Sequence, residues 1–321
     1  MSNPEVSIIM NCLNGERYLP GALSSVQSQT FQNFEIIFWD NASTDESAEI
    51  ARAYGEKLRY FKSEETLPLG QARNLAIAQA KGDYIAFLDC DDLWRPSKLE
   101  KQLQLFEKDP QIGLVCTDTE VSQGQDSLYR LFARSEPERG YKFRELVQRQ
   151  WISMSSAMLR KSALDSVAIA DADRAALLWF DEELNVCEEA DLFYRIAHDW
   201  KLDHVDEPLT VWRVHGSNTT FTKFGQFASE TGKILAKHRE LYADYDQEYG
   251  DIARLLEQRS AFQGAIALWQ NGEGAKARAL ISPHIEASRK YKLFWWASFL
   301  PGSMFGPLAR FYFSLPAFLR S

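Results

Sequence analysis

The sequence has 321 residues, of which 45% are hydrophobic and 25% charged. A chain of this length buries enough apolar surface to fold without a disulfide or a structural metal. Its net charge of −9 argues against a protein that coats nucleic acid, because such proteins need a basic surface. The four cysteines form no CxxC pair, as is typical of reduced thiols in a cytoplasmic protein, and the first twenty residues lack the features of a signal peptide.

Short β-branched and aromatic runs alternate with helical patterns in the first part of the chain. Five runs are predicted to be strands, at 6–10, 35–39, 57–61, 84–88 and 112–116. Residues 70–80 predict a helix, and an apolar stripe that includes Leu99 and Phe106 predicts another. The spacing of Ser43 and Glu46 is that of a capping box at the start of a third helix. This alternation predicts an α/β fold with a doubly wound, largely parallel sheet, in which ligands bind beyond the carboxyl ends of the strands.

The rest of the chain divides by pattern and composition. A helix is predicted near 188–200 and a strand near 208–214. Residues 224–285 have a helical pattern, with a turn at 271–274 between two antiparallel helices. From 287 to the end the chain is rich in aromatic residues and has five basic residues but no acidic one, so the preceding 286 residues carry a net charge of −14. The predicted parts are an α/β domain over 1–220, a helical extension over 221–285 and a basic aromatic tail over 286–321.

Asp89, Asp91 and Asp92 place three carboxylates within four residues, directly after the predicted strand 84–88. Carboxylates this close repel one another, and a hard divalent cation bound through oxygen removes that repulsion. An EF-hand is not expected, because the sixth position of the segment is Trp94 rather than glycine. A solvated acidic turn before the next helix is the alternative interpretation.

Polar residues also follow the first two predicted strands. The carboxylate of Asp40 could accept hydrogen bonds from a base or a ribose, and Asn41 offers both a donor and an acceptor. A polar turn is the alternative interpretation of this pair. The stretch after the first strand, from Asn11, contains the single glycine Gly15. Neither GxGxxG nor GxxxxGK[ST] occurs, which argues against a dinucleotide dehydrogenase and a P-loop enzyme.

Three motif-bearing segments follow one another in the N-terminal third: VSIIMNCLNGERYL, FQNFEIIFWDNASTDES and GQARNLAIAQAKGDYIAFLDCDDLWRPSKLEKQL. In this order they resemble glycosyltransferase family 2, and the similarity spans about residues 5–215. The resemblance implies a GT-A-like fold and the inverting transfer of a sugar from a nucleotide-diphospho-sugar, expected to be a UDP-sugar. The implied acceptor is a hydroxyl of a glycan or a lipid-linked molecule, in bacterial surface-polysaccharide synthesis.

The resemblance also implies roles for individual residues. Asp40 would bind the nucleotide base, and Asp89 and Asp91 would form the family's DxD motif, with Asp91 on a Mg²⁺ or Mn²⁺ ion that bridges the donor diphosphate. The implied nucleotide-sugar-binding residues are Asn11, Asp40, Asn41, Arg73, Asp89 and Arg213. This chain departs from the commonest family pattern at Asn11 and Asn41, which leaves the identity of the base open.

A later segment, FDEELNVCEEADLFYRIA, resembles the family's ED-x-D-L-x-x-R pattern. The second acid of the pair is the usual catalytic base, so this role falls to Glu189, with Asp191 and then Glu188 as alternatives. A helix N-terminus enriched in acids is the structural alternative. Arg213 and His215 resemble the family's YRxHxxS strand end, where the arginine could neutralise phosphate and the histidine could ligate the metal. A purely structural histidine remains the alternative there.

Two other functions stay open at this point. A sugar nucleotidyltransferase would use similar sheet and metal chemistry, but it usually needs a glycine-rich loop with a basic residue after the first strand. This chain has one glycine there, followed by Arg17. A non-catalytic nucleotide-sugar-binding module would keep Asp40 and the acidic turn but would not need the acids at 188–191.

The tail carries no charge from 293 to 309, but prolines and glycines interrupt this stretch, so a membrane-spanning helix is not expected. Its aromatic residues either pack on the catalytic domain as part of a core or lie at a membrane interface. The second interpretation predicts a cytoplasmic protein that is peripheral on the inner face of the cell membrane. The basic residues that would then meet anionic lipid are Arg289, Lys290, Lys292, Arg310 and Arg320.

Overall fold

Strands and helices alternate through the first half of the chain, as the hydrophobic pattern predicts. The computed structural model describes residues 3–124, 126–171, 176–215 and 224–304. Its strands are β1 (Val6–Cys12), β2 (Phe34–Asp40), β3 (Leu58–Lys62), β4 (Tyr84–Phe87), β5 (Leu93–Trp94), β6 (Ile112–Gln123), β7 (Asp126–Arg130), β8 (Met158–Arg160), β9 (Ile169–Asp171), β10 (Ala176–Leu178) and β11 (Lys201–Arg213). Its helices are α1 (Leu19–Gln27), α2 (Ser47–Arg52), α3 (Leu69–Ile77), α4 (Lys98–Lys108), α5 (Phe143–Gln148), α6 (Lys161–Ser166), α7 (Glu188–Asp199), α8 (Phe224–Leu241), α9 (Tyr245–Gln270), α10 (Gly274–Ile281) and α11 (Arg289–Ala297).

The main sheet joins nine of the described strands in the order β3-β2-β1-β4-β8-β6-β11-β5, with β7 paired to β6. The pairs β3-β2, β2-β1 and β1-β4 are parallel, as is β6-β11. Strand β8 is antiparallel to both of its neighbours, β4 and β6. The predicted α/β sheet is confirmed, and each predicted strand is present. The three-residue strand β8 was not predicted, because so short a segment shows no period, and it makes the middle of the sheet antiparallel.

The two faces of β1 pack against different helices, because side chains alternate along a strand. Ile8, Met10 and Cys12 point into an apolar cluster with residues of α1 and α4, including Leu23 and Leu103. Helix α3 packs on β1 and β2. The carboxyl ends of β1, β2 and β4 therefore form one edge between two helical layers. Asn11, Asp40 and Asp89 stand at this edge, at or just after the ends of their strands.

The predicted capping box at Ser43 and Glu46 is wrong. Helix α2 begins at Ser47, and its main-chain N–H is capped by Oδ1 of Asp45, at 3.0 Å. The hydroxyl of Ser43 instead accepts the N–H of Asn14, at 3.0 Å. Ser43 is used to hold the loop after β1 against the loop after β2, a long-range contact that the local spacing does not encode.

The chain divides into two compact units between Asn218 and Thr219, and the described residues of the second unit, 224–304, are mainly helical. Its core includes Ala261, Ala265 and Trp269 of α9 together with Tyr291 and Phe294 of α11. The predicted turn between antiparallel helices is confirmed: α9 ends at Gln270, α10 begins at Gly274, and Gly272 has a φ of +83° that suits glycine. None of the helices in the described ranges has both the length and the apolar character that crossing a bilayer requires.

Asn74 on α3 anchors the segment that leads to α7. Its Oδ1 accepts the main-chain N–H groups of Trp179 and Phe180, at 3.1 and 2.8 Å. Its Nδ2 donates to the carbonyl of Phe180 at 2.8 Å and to the carboxylate of Glu182 at 3.2 Å. One buried amide therefore holds both polar groups of a main-chain turn in the segment that leads to α7.

Replacing Asn74 by alanine is expected to lower the free energy of unfolding by about 2–3 kcal/mol, because buried main-chain groups of Trp179 and Phe180 lose their partner. Urea denaturation measures the loss. Leu75→Ala is the matched control at the next position of α3, where the side chain is exposed, and it should change stability by less than about 0.5 kcal/mol. Equal losses in the two variants would contradict the anchoring role.

Candidate active site

The acidic loop after β4 is held in place by its last carboxylate. Asp92 is buried; its Oδ2 accepts the hydroxyl of Ser155 at 2.6 Å, and its Oδ1 accepts the main-chain N–H of Arg213 at 3.1 Å. Burial first, and then the charges of Asp89 and Asp91, raise the pKa of Asp92 well above its ordinary value. Asp92 thus ties the loop to the end of β11, a structural role that the sequence analysis did not assign.

Asp91 and His215 meet although 124 residues separate them. Nε2 of His215 lies 2.8 Å from Oδ2 of Asp91, and both side chains keep a partly open edge, at 17% and 28% exposure. The ring of Tyr18 stacks on the imidazole with centroids 4.7 Å apart, and the guanidinium of Arg213 lies 5.0 Å from the centre of the Tyr18 ring. Arg213 also donates to the carbonyl of Asp91. The pairing of β11 with β5 produces this contact, because it brings the end of β11 beside the acidic loop.

Arg73 joins the acidic loop to the start of α7. Its guanidinium is buried and lies 2.6 Å from Glu188, 3.3 Å from Asp89 and 3.8 Å from Glu189. The face of the guanidinium rests over Phe180, with 5.3 Å to the ring centre. The predicted donor-binding arginine therefore contacts the predicted base and the first acid of the DxD motif, and it offsets part of their mutual repulsion.

The three acids at the start of α7 have different environments. Glu188 is buried against Arg73, and Asp191 is fully buried in an ion pair with Arg195, at 2.9 Å. Glu189 keeps 37% of its side chain exposed. Desolvation by the surrounding protein, followed by the like charge of Glu188, raises the pKa of Glu189 to about 8, and the charge of Arg73 opposes the shift. Of the three predicted candidates, Glu189 is the carboxylate that an acceptor could reach.

The residues predicted to bind the base are largely committed to the protein itself. Asp40 is fully buried and accepts the N–H of Ser43 at 2.7 Å and the hydroxyl of Tyr60 at 2.5 Å. Asn41 donates to the carbonyl of Leu67 at 2.9 Å and accepts its N–H at 3.0 Å. These contacts order the loops after β2 and β3 at the edge of the sheet, on the other side of β1 from the acidic loop.

Two buried polar atoms at this edge lack a hydrogen-bond partner within the described ranges. They are Nδ2 of Asn11 and Oε2 of Glu188. An unpaired buried polar atom is costly, and such atoms in folded proteins commonly mark a position that a ligand or water completes. Their location, one on β1 and one beside Arg73, supports a polar ligand at the carboxyl ends of the strands.

A second acid–histidine group lies elsewhere in the first unit, formed by Glu136, His204 and Asp206. The guanidinium of Arg139 lies within it, 3.3 Å from Nε2 of His204 and 3.2 Å from both carboxylate oxygens of Asp206. A cation is therefore already supplied by the chain. This group is an ion-pair network rather than a metal site.

Comparison with known proteins gives a family and a fold. A sequence profile described as Glycosyl transferase family 2 matches residues 7–167. An uncharacterized glycosyltransferase of Methanocaldococcus jannaschii is 31% identical over 223 residues, which are 67% of this chain and 72% of the relative.

Two solved proteins share the fold. The structure of S. aureus TarS residues 1–349 in complex with UDP-GlcNAc has a TM-score of 0.59 at 15% identity, over 91% of each chain; in a longer TarS structure the match spans 50% of that chain. The mannosyltransferase PcManGT of Pyrobaculum calidifontis, in complex with GDP-Man and Mn²⁺, has a TM-score of 0.58 at 17% identity, over 92% of this chain and 84% of that chain. The expected GT-A-like fold is confirmed.

Replacing Arg73 by glutamine should lower the free energy of unfolding by about 3–5 kcal/mol, because it leaves Glu188 as an uncompensated buried charge. Combining Arg73→Gln with Glu188→Gln should recover part of the loss, and urea denaturation of the four proteins of this cycle measures the coupling. Lys101→Gln, which breaks an exposed ion pair with Glu207, is the control and should cost less than about 1 kcal/mol. Strictly additive losses in the cycle would show that the pair is not coupled.

Proposed function

The chain belongs to glycosyl transferase family 2, and from that premise we propose that it transfers a sugar from a nucleotide-diphospho-sugar to an acceptor hydroxyl, with inversion at the anomeric carbon. The observation that carries this proposal is that an exposed carboxylate, Glu189, and an acid–imidazole pair, Asp91 and His215, lie at one edge of the sheet. Arg73 links the two, because it contacts Glu189 on one side and Asp89 of the acidic loop on the other. A base and a diphosphate site are the two elements that such a transfer requires.

The donor is proposed to be a UDP-sugar. Two observations support a nucleotide-sugar: TarS, which shares the fold, is seen with UDP-GlcNAc, and PcManGT with GDP-Man. The side-chain nitrogen of Asn11, which has no hydrogen-bond partner among the described residues, lies at these strand ends. With the ordered loops around Asp40 and Asn41, it provides polar groups for a base and a ribose. The acceptor is proposed to be a glycan or lipid-linked hydroxyl, in surface-polysaccharide synthesis.

Glu189 is proposed to be the catalytic base. As the acceptor oxygen attacks the anomeric carbon, the carboxylate of Glu189 takes its proton. A second acid to protonate the leaving group is not needed, since a nucleoside diphosphate is already a good leaving group, in contrast to the alcohol that a glycosidase must protonate. Arg73 orients Glu189 and forms a buried ion pair with Glu188. The exposed carboxylate, that of Glu189, therefore faces the acceptor.

A divalent metal is proposed to bind at Asp91 and His215. Their ligand atoms, Oδ2 and Nε2, converge at 2.8 Å, and a carboxylate oxygen with an imidazole nitrogen is a donor set that suits Mn²⁺ and accommodates Mg²⁺. Asp89 is the third proposed ligand, although its carboxylate is turned toward Arg73 here. A metal bound there would offset the charge that develops on the departing diphosphate. Arg213, held between Tyr18 and the acidic loop, is proposed to contact the same phosphates.

The helical unit is proposed to attach the protein peripherally to the inner face of the cell membrane. Helix α11 and the turn after it have two sides: Tyr291 and Phe294 are buried in the core, whereas Trp296 and Phe299 are 67% and 57% exposed. The guanidinium of Arg278 lies over the ring of Phe299, 3.9 Å from its centre, and exposed aromatic residues next to a basic one suit an anionic lipid interface. The rest of the predicted tail, from 305 onward with Arg310 and Arg320, lies outside the described residues.

Replacing Glu189 by glutamine should lower turnover by ~100-fold or more while nucleotide-sugar binding is kept, because the amide cannot accept the proton. The measurement is transfer and donor hydrolysis with a panel of nucleotide sugars, with and without Mn²⁺. In the unmodified enzyme kcat/KM should rise with pH through a pKa near 8, since the base must be deprotonated. Glu188→Gln should shift the rise of kcat/KM to lower pH, because removing the neighbouring negative charge lowers the pKa of Glu189.

Asp199→Asn, at the exposed far end of the same helix, is the matched control and should leave turnover unchanged. If Asp191→Asn abolishes turnover in a folded protein and Glu189→Gln does not, the base is misassigned. Release of pyrophosphate from a sugar phosphate and a nucleoside triphosphate, or donor binding without any turnover, would favour the nucleotidyltransferase or the binding module.

Replacing Asp91 by alanine should remove Mn²⁺-dependent donor binding and nearly all transfer while the fold survives, because this carboxylate is partly exposed and is not a buried anchor. Calorimetric titration of donor in the presence of Mn²⁺ measures the binding. Glu136→Gln is the control, since it alters the acid–histidine group that Arg139 already neutralises. Near-normal turnover of Asp91→Ala at any Mn²⁺ concentration would exclude the assignment.

Flotation with liposomes that contain anionic lipid tests the membrane proposal, and binding should weaken as salt rises. The double variant Trp296→Ser and Phe299→Ser should float less, because the exposed rings are removed. Leu241→Ser, an exposed apolar position on α8, is the control and should float normally. Deletion after Ser288 is a poor test, since it removes Tyr291 and Phe294 from the core. Intact protein that stays at the bottom at both salt concentrations would refute membrane association.

A further inference from the structure

Two thiols approach each other where the acidic loop after β4 passes the end of the parallel strand β1. The register sets Ile9 opposite Phe87, and the ladder continues one step further, where the N–H of Leu88 donates to the carbonyl of Ile9 at 3.0 Å. Cys90 follows two residues later, in the turn that begins the acidic loop.

The side-chain contacts bring the two thiols together. Cys12 belongs to the apolar cluster on one face of the sheet, and Cys90 packs against the same cluster, so both side chains lie on the same face. Gly15 covers both: a Cβ atom placed on it would lie 2.6 Å from Sγ of Cys12 and 2.9 Å from Sγ of Cys90. Both sulfurs therefore lie within 2.9 Å of the same point, which only a glycine leaves free.

The two thiols differ in access. Cys12 is buried, whereas Cys90 is partly exposed at the acidic loop; Cys116 and Cys187, the other two cysteines, are both buried. A small oxidant from solvent therefore reaches Cys90 first, and the buried thiol of Cys12 is the one close enough to react with the oxidised Cys90.

We propose that Cys12 and Cys90 are an oxidisable pair that a peroxide closes to a disulfide, which locks the acidic loop to the end of β1. The sulfur of Cys90 attacks one peroxide oxygen, the O–O bond breaks, and a sulfenic acid and one water form. The thiol of Cys12 then attacks the sulfenic sulfur, and its proton leaves with the hydroxyl as a second water. Two thiols lose two electrons in total and the peroxide gains them; a dithiol reductant reverses the reaction by thiol–disulfide exchange.

The bond would act on the candidate site through the chain. Cys90 lies between Asp89 and Asp91, and a covalent S–S distance of about 2.05 Å is shorter than the contact between two thiols. Closure draws this loop toward β1, and so away from the positions in which Asp89 meets Arg73 and Asp91 meets His215. We expect a reversible loss of metal-dependent donor binding. This consequence rests on the proposed function, whereas formation of the bond does not.

The experiment treats the full-length reduced protein with one to five equivalents of hydrogen peroxide, blocks free thiols by alkylation and maps the tryptic peptides by mass spectrometry. Each cysteine falls in a different tryptic peptide. The expected product links residues 1–17 to residues 82–98 and disappears on treatment with dithiothreitol. In parallel, calorimetry with Mn²⁺ and either UDP-GlcNAc or GDP-Man should show at least a tenfold weaker affinity after oxidation and recovery after reduction.

Cys90→Ser should form no linked peptide and should keep its own affinity after peroxide, and Cys116→Ser should still form the link. A Cys90 that oxidises to sulfinic acid while Cys12 stays alkylatable would overturn the proposal, and this result needs no variant to fold. A linked peptide with unchanged affinity would overturn the regulatory consequence and leave the disulfide. Reduced protein that binds neither donor would count against the proposed function alone, since the peptide map is read independently.

Discussion

The arrangement of the candidate site depends on one buried cation. Asp89, Glu188 and Glu189 come from two distant parts of the chain, and without a positive charge between them their carboxylates would repel one another in a poorly solvated space. Arg73 supplies that charge from α3, a helix packed directly on β1 and β2. The sheet therefore sets the position of the guanidinium, and the guanidinium sets the distance between the acidic loop and α7.

The acids of the site are arranged as neighbours with different tasks. In the acidic loop, the buried Asp92 holds the main chain in place, while the adjacent Asp91 is partly exposed. At the start of α7, the buried Glu188 forms the ion pair with Arg73, while the adjacent Glu189 is partly exposed. In each case a fixed carboxylate places an accessible one beside it in sequence. This arrangement lets the acidic loop and the start of α7 each present one accessible carboxylate in a defined position. It also explains why acidic residues are clustered at 89–92 and at 188–191.

The parts of the structure that sequence reasoning predicted are those with a local signal. The strands β1, β2 and β4 are apolar runs, and the rule for parallel sheets was enough to bring Asn11, Asp40 and Asp89 together at or just after their ends. The parts that it missed depend on partners far along the chain. Ser43 has the spacing of a cap but binds Asn14, and β8 has three residues that become a strand because β4 and β6 lie on either side.

The late position of β11 in the chain has a consequence for synthesis on the ribosome. The residues of β5 have been synthesised once residue 94 is added, but Thr210, which pairs with Trp94, is added 116 residues later. This interval is on the order of ten seconds at typical translation rates. During that time β6 offers an unpaired edge, the kind of surface that chaperones cover. His215 arrives last of all, so a nascent chain holds the acidic loop long before it holds the imidazole that meets it. A nucleotide ligand that needs both groups therefore cannot guide the early folding of the sheet.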